Sequence, residues 1–279
     1  MNKKITILSI VSLVVELTQS ILVARILGPS TYGEIAVVMA IITLFQGVLG
    51  VRSAEIVYGY IDKKNNQLTK IKKIYAIDAI SSIVVFFTLL IITNTILVSF
   101  LKFNYEIMQF LTYIMISRIG YFVSEALMIL NNKIYIYNLI KALNSIITLL
   151  IVIFITIIFK LKGYIIIIPI MMLFTNLLLF MYVKKKIINF NKHGPSDLDG
   201  IIKFSSQSFV SATLKSFSNT ADILILNFIS NVETIGLYKV GKTLGQIPNG
   251  ILNALWQPHY GIIISKAKKK LFFSFQYNY

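Results

Sequence analysis

Polar side chains recur at helical spacing inside stretches that are otherwise apolar enough for lipid. Ser9, Ser12, Glu16 and Gln19 step by three and four along the first of them. Ser208, Ser211, Lys215, Asn219 and Asp222 do the same later in the chain, as do Lys239, Lys242, Gln246, Asn249, Asn253 and Gln257; Thr43 and Gln46 form a shorter set. Such steps put the side chains on one face of an α-helix. An ionisable group at mid-bilayer costs about 2.5–3.5 kcal/mol on insertion scales, so it faces a partner or a wet cavity. Lys215, Lys239 and Lys242 against one nearby carboxylate, Asp222, predict uncompensated positive charge, and cations are suited to phosphate-bearing ligands.

Each feature has a plainer reading beside the chemical one. The Ser, Thr and Asn side chains can serve only to hydrogen-bond neighbouring helices. Lys239, near a helix end, can snorkel. Arg52 and Glu55, three residues apart, can pair with each other. Arg118 and Glu125 are expected to pair with another helix, and Asp78 to sit at the membrane interface near Lys72 and Lys73. Trp256 and Tyr260 read as packing or an aromatic belt, His193 as a loop residue and His259 as an interfacial one. Gly241, Gly245, Pro248, Gly250 and Pro258 predict either a bend in the last segment or close helix packing. Catalytic chemistry finds no support. Gly28–Gly33, GPSTYG, lacks the Lys of a phosphate-binding loop, no H-E-x-x-H occurs, and no His/Asp/Ser set stands out. With no cysteine, thiolate metal sites and disulfides are impossible. No catalytic residue, cofactor or metal is expected.

The elements that must carry these residues follow from composition. Of 279 residues 56% are hydrophobic and 14% charged, and mean hydropathy is +0.77; a soluble domain needs more polar surface. Eight segments approach the length of about 20 apolar residues that a bilayer requires: 5–24, 33–58, 74–100, 107–130, 142–159, 163–183, 201–229 and 234–265. Glu16 and the lack of an A-x-A site make the first an uncleaved helix rather than a signal peptide. The net charge of +16 is concentrated in alternate connections: Lys3 and Lys4; Lys63, Lys64, Lys70, Lys72 and Lys73; Lys133 and Lys141; Lys184 to Lys186; Lys266 to Lys270. That bias predicts a cytoplasmic N-terminus and contact with anionic membrane lipid, and it accounts for the charge without nucleic acid.

Ile21–Gly47 and Ile223–Gly250 share one pattern: an apolar helix end, a short polar turn, a Gly and a second apolar segment. Aligned on Gly33 and Gly236 they also match at Ile26/Ile229, Thr31/Thr234, Val37/Val240 and Gly47/Gly250. A repeated membrane hairpin predicts two related halves with a site between them. The fold class is therefore all-α, a polytopic membrane protein of about eight transmembrane helices. It divides into a six-helix lobe over 1–183, a basic cytoplasmic linker over 184–200, and the first two helices of a second, pseudo-symmetric lobe over 201–279. Six helices, a linker and a restarting repeat imply six plus six, so the expectation is a second lobe cut short.

ARILGPSTYG, Ala24–Gly33, resembles the first hairpin of bacterial polysaccharide-export flippases of the multidrug/oligosaccharidyl-lipid/polysaccharide exporter superfamily. DILILNFISNVETIGLY, Asp222–Tyr238, is similar to that family's seventh helix and the turn into the eighth. The resemblance implies two helical bundles around a cavity that opens alternately to each side of the bacterial cytoplasmic membrane. The implied cargo is an undecaprenyl-diphosphate-linked oligosaccharide, with polysaccharide polymerase and export proteins as further partners. Arg25 matches the family's turn arginine. With Arg52, Lys215, Lys239 and Lys242 it makes the expected cationic set, lined by Glu16, Gln19, Gln46, Asn219, Asp222, Gln246, Asn249 and Asn253. Two alternatives stand: a cation-coupled multidrug exporter of the same superfamily, which predicts an acidic cavity, and a polytopic glycosyltransferase or polymerase, which needs acidic or His residues near a loop.

Overall fold

The computed structural model describes residues 3–61, 68–93, 105–187, 198–256 and 259. The first helix, α1 (Lys3–Leu27), stops at Gly28, whose φ of +84° an L side chain rarely adopts. Pro29 then opens α2 (Pro29–Leu49) in the first turn, where its missing N–H is no loss. There follow α3 (Ser53–Tyr60), α4 (Leu68–Ile92), α5 (Tyr105–Ser117), α6 (Tyr121–Leu130), α7 (Ile134–Lys186), α8 (Leu198–Ile229), α9 (Val232–Gly245) and α10 (Ile247–Trp256). No strand occurs among the described residues.

The α1 helix, the α2–α3 pair, α4 and α7 are each long and apolar enough to cross a bilayer, and α5 from Leu111 meets that test together with α6, the two bent by 42° at the break between them. The 53 residues of α7 would reach about 80 Å if straight, against a hydrocarbon core of about 30 Å. Instead the chain reverses at Lys160 (φ 51°, ψ −134°). Asn144 Nδ2 donates to Thr175 Oγ1 at 2.6 Å, and Val152 packs with Ile167 and Met171; residues this far apart in one helix meet only across a hairpin. The two limbs correspond to the expected segments 142–159 and 163–183. The first limb starts earlier, at Ile134, so Lys141 lies inside a helix and not in a connection.

Exposed apolar side chains line up at steps of three and four: Ile80, Ile83, Val84, Phe87 and Ile91 on α4, and Leu143, Ile147, Leu150, Phe154 and Ile157 on α7. Asp78, Thr112, Asn138 and Asn176 are buried instead. Apolar outside and polar inside is the arrangement lipid demands, and the chain is an all-α polytopic membrane protein.

Two large apolar cores hold most of the buried side chains. One gathers α2, α5, the second half of α4 and the start of the second α7 limb, through Ile41, Ile42, Leu89, Leu111, Met115 and Ile165, and extends to Ile223 of α8 and Ile235 of α9. The other gathers α3, α6, the first half of α4 and both ends of α7, through Ile56, Val57, Ile74, Leu127, Tyr137 and Val183.

Candidate functional site

The two repeats meet at the glycines that align them. A Cβ on Gly33 would lie 2.0 Å from Val232 O, and a Cβ on Gly236 would lie 2.0 Å from Pro29 O. Each contacted carbonyl belongs to the residue four before the partner glycine, so the contact is reciprocal. Backbones approach this closely only where side chains are absent. The turns leading in differ: Gly28 and Pro29 in the first copy, and in the second Asn231, whose Oδ1 accepts from Thr234 N at 2.9 Å and caps α9. The other matched glycines also touch the opposite repeat. Gly47 O accepts from Thr213 Oγ1 at 3.2 Å, and a Cβ on Gly250 would meet Leu13 Cδ1 at 2.2 Å. Helices α1, α2, α8, α9 and α10 thus meet through the matched glycines.

The predicted cations divide into committed and uncommitted ones. Lys242 Nζ donates to both carboxylate oxygens of Asp222 at 2.7 Å and to Asn219 O at 2.6 Å. Tyr238 Oη adds a donor to Asp222 at 2.5 Å. Lys242 is therefore the lysine of the three that Asp222 compensates, because α9 folds back alongside α8 and brings the two side chains together. Arg52 pairs with Glu55 at 2.8 Å. Arg25 and Lys215 are exposed and Lys239 is half-buried; none has an ion pair among the described residues. Glu16 pairs with Lys141 at 3.3 Å, tying α1 to the first limb of α7.

Among the polar lining, Gln46 accepts from Arg118 Nη1 at 3.0 Å, Gln19 is half-buried, and Asn219, Gln246, Asn249 and Asn253 are exposed. The last segment does break, at Gln246 between α9 and α10, with Pro248 in the first turn of α10. Gly241 and Gly245 have open space around them, so close packing explains only Gly250. Trp256 is exposed and His259 half-exposed. The side chains of Ser208 and Ser211, together with His193, Gln257, Pro258, Tyr260 and most of the basic linker, lie outside the described residues.

A small polar pocket lies elsewhere, between the two apolar cores. Gln46, Gly50, Asp78, Ser81, Ser82 and Arg118 line it, and its volume of about 20 Å³ holds about one water. Two helix breaks meet there. Helix α2 ends at Gly50, and the freed Val51 N–H donates to Ser81 Oγ at 2.9 Å. Helix α5 ends at Ser117, and the Gly120 N–H (φ +79°) donates to Asp78 Oδ2 at 2.6 Å. Ser53 Oγ donates to the other Asp78 oxygen. Carbonyls freed by the second break, Ser117 O and Ile119 O, accept from Asn176 Nδ2 at 3.1 and 2.5 Å. Asp78 is 4% exposed. Its expected interfacial position is overturned because α3 and α6 close over it and use both its oxygens. Arg118 also stacks 5.0 Å over Phe122. Glu125 accepts from Tyr137 Oη on α7 at 2.6 Å, so both it and Arg118 do bind another helix, though by hydrogen bonds. This pocket was missed by sequence reasoning. The signal available was Asp78, Ser81 and Ser82 at helical spacing, with Gly50 and Gly120 each interrupting an apolar run.

A family model described as Polysaccharide biosynthesis protein matches residues 2–258. No curated protein matches the chain, and no solved structure does. The chain belongs to the polysaccharide biosynthesis protein family.

Proposed function

We propose that this member of the polysaccharide biosynthesis family is a transporter that flips undecaprenyl-diphosphate-linked oligosaccharide across the bacterial cytoplasmic membrane, its N-terminus on the cytoplasmic side. The observation that carries the reading is the reciprocal crossing at Gly33 and Gly236. Two related hairpins joined by a narrow backbone contact can rock about it, which is how repeat-built transporters expose a site to one side and then the other. On the proposed orientation the crossing sits at the outer face. The cargo is a polyanion, and moving it through a region where water screens poorly requires cations. Arg25, Lys215 and Lys239 have no ion pair among the described residues and lie on α1, α8 and α9, the elements that meet between the repeats. Arg52 and Lys242 would reach cargo only by leaving their carboxylate partners. The acidic cavity that a multidrug exporter needs has no counterpart in this set; the pocket at Asp78 is balanced by Arg118.

Deleting the gene tests the reading. Lipid-linked repeat units should accumulate in the inner leaflet while surface polysaccharide falls, and restoring the gene should reverse both. Joint neutralisation of Arg25, Lys215 and Lys239 to Gln should fail to reverse them at equal membrane insertion. Unchanged polysaccharide with new sensitivity to cationic drugs would move the assignment to a multidrug exporter. Failure to form the lipid-linked saccharide at all would move it to a glycosyltransferase.

A further inference from the structure

Two apolar segments within Lys3–Lys186 are broken, α2–α3 and α5–α6, and both breaks fall at the polar layer between the two apolar cores. Beyond the breaks, α3 and α6 pack on each other: Ile56, Val57 and Ile61 meet Val123, Leu127 and Met128. Before the breaks, α2 and α5 share the other core. Unbroken α4 runs through both and supplies the groups that hold the breaks. Asp78 accepts from Ser53 Oγ at the start of α3 and from Gly120 N before α6; three residues on, Ser81 accepts from Val51 N.

One carboxylate therefore closes the N-terminal ends of two half-helices at once. Freed backbone groups at membrane depth must find partners, and here the partners are buried side chains rather than lipid or bulk water. Polar bonds of this kind re-form at a new angle more readily than interdigitated apolar side chains, which are close-packed and bistable.

We propose that Asp78 is a positioning residue: it latches α3 and α6 into one block, and this block pivots against the α2–α5 block at the polar layer. The proposal rests on the transport reading for its purpose but not for its test. Gly59 lies seven residues beyond Arg52 on α3, a lever of about 10 Å, so a swing of about 20°, the size of a sharp kink, moves it by about 3–4 Å.

The natural absence of cysteine allows paired spin labels in the full chain reconstituted in lipid nanodiscs. Labels at Gly59→Cys and Phe87→Cys report across the polar layer; Phe87→Cys and Ile116→Cys report within one block. Asp78→Asn keeps the shape but offers one acceptor where two are used. It should shift or broaden the Gly59–Phe87 distance by about 3–4 Å and leave the Phe87–Ile116 distance alone. Ser81→Ala, a milder release, should act in the same direction and covers the case in which Asp78→Asn does not insert. If both distances broaden together, Asp78 is a general structural residue and the proposal is overturned. If neither changes in Asp78→Asn and Ser81→Ala, it is overturned as well. Failure of the gene-deletion experiment would remove the cargo but leave these distances standing, so the two failures are distinguishable.

Discussion

Replacing Gly33 by Ala is the sharpest test of the repeat crossing. The new Cβ would sit 2.0 Å from Val232 O, 3.0 Å from Val232 C and 3.0 Å from Gly236 N. An ordinary contact begins at 3.4 Å, so α2 and α9 must separate by about 1.4 Å (3.4 minus 2.0). The obstacles are backbone atoms of a second helix, which no rotamer change can move. Overpacking of this kind costs about 1–3 kcal/mol, and the rigid target puts the expected value in the upper half. Gly236→Ala meets the mirror-image obstacle at Pro29 O, again 2.0 Å away, and should cost as much. Either substitution alone forces the same separation, so the second finds the space already opened. The double variant should therefore fall short of the sum by about 1 kcal/mol or more, the behaviour of sites sharing one displacement. Gly241→Ala and Gly245→Ala are internal controls, because nothing lies within 4 Å of a Cβ at either. They should be neutral or stabilising by up to about 1 kcal/mol, since Gly is a poor helix former. The assay is thermal stability of purified protein in a single detergent. Strict additivity of Gly33→Ala and Gly236→Ala, or costs no larger than those at Gly241 and Gly245, would refute the shared crossing.

Three further outcomes are expected. Lys160 holds a positive φ at the hairpin turn of α7, so Lys160→Gly should stabilise by about 1 kcal/mol and Lys160→Val should destabilise, both read from thermal melts. Asp222 and Lys242, bonded at 2.7 Å and only partly exposed, should couple in a double-mutant cycle: the double variant Asp222→Asn/Lys242→Gln should cost less stability than the two single substitutions summed. The Glu16–Lys141 pair should tolerate exchange, with Glu16→Lys and Lys141→Glu each lowering membrane-inserted yield and the double exchange recovering it.

The segments were legible because lipid imposes a one-dimensional rule. A crossing needs a long apolar run, and the Lys-Leu-Lys-Gly sequence at Lys160–Gly163 separated two such runs even though helical backbone continues almost unbroken through it. The crossing glycines were legible for a related reason: close backbone approach permits one residue type, and it recurs at the same place in both copies. Hydropathy did not reveal the breaks at Gly50–Arg52 and Arg118–Gly120, because apolar residues continue on both sides and hydropathy sums across them; only Gly50 and Gly120 marked them. Periodicity names the face a side chain occupies and not what lies opposite. Asp78 shares a helix with Lys72 and Lys73, which drew it toward the interface on paper; α3 and α6 decide its burial, and both arrive from elsewhere in the chain.

The surplus of two lysines over Asp222 is the same on the sequence and in the fold; what the sequence could not assign is which lysine takes the carboxylate. Counting Lys215, Lys239 and Lys242 against Asp222 treats all four as equivalent neighbours. In the folded chain Asp222 gives both oxygens to Lys242, and the remaining two lysines have no ion pair among the described residues. A paired lysine inside a membrane lowers its own cost and loses its pull on a passing phosphate, whereas an unpaired one keeps both. The cations with the greatest use for an anionic cargo are thus those the fold has left unmatched. Lys215→Gln should accordingly impair export more than Lys242→Gln at equal stability, and the reverse order would mean that the Asp222–Lys242 bond opens during transport.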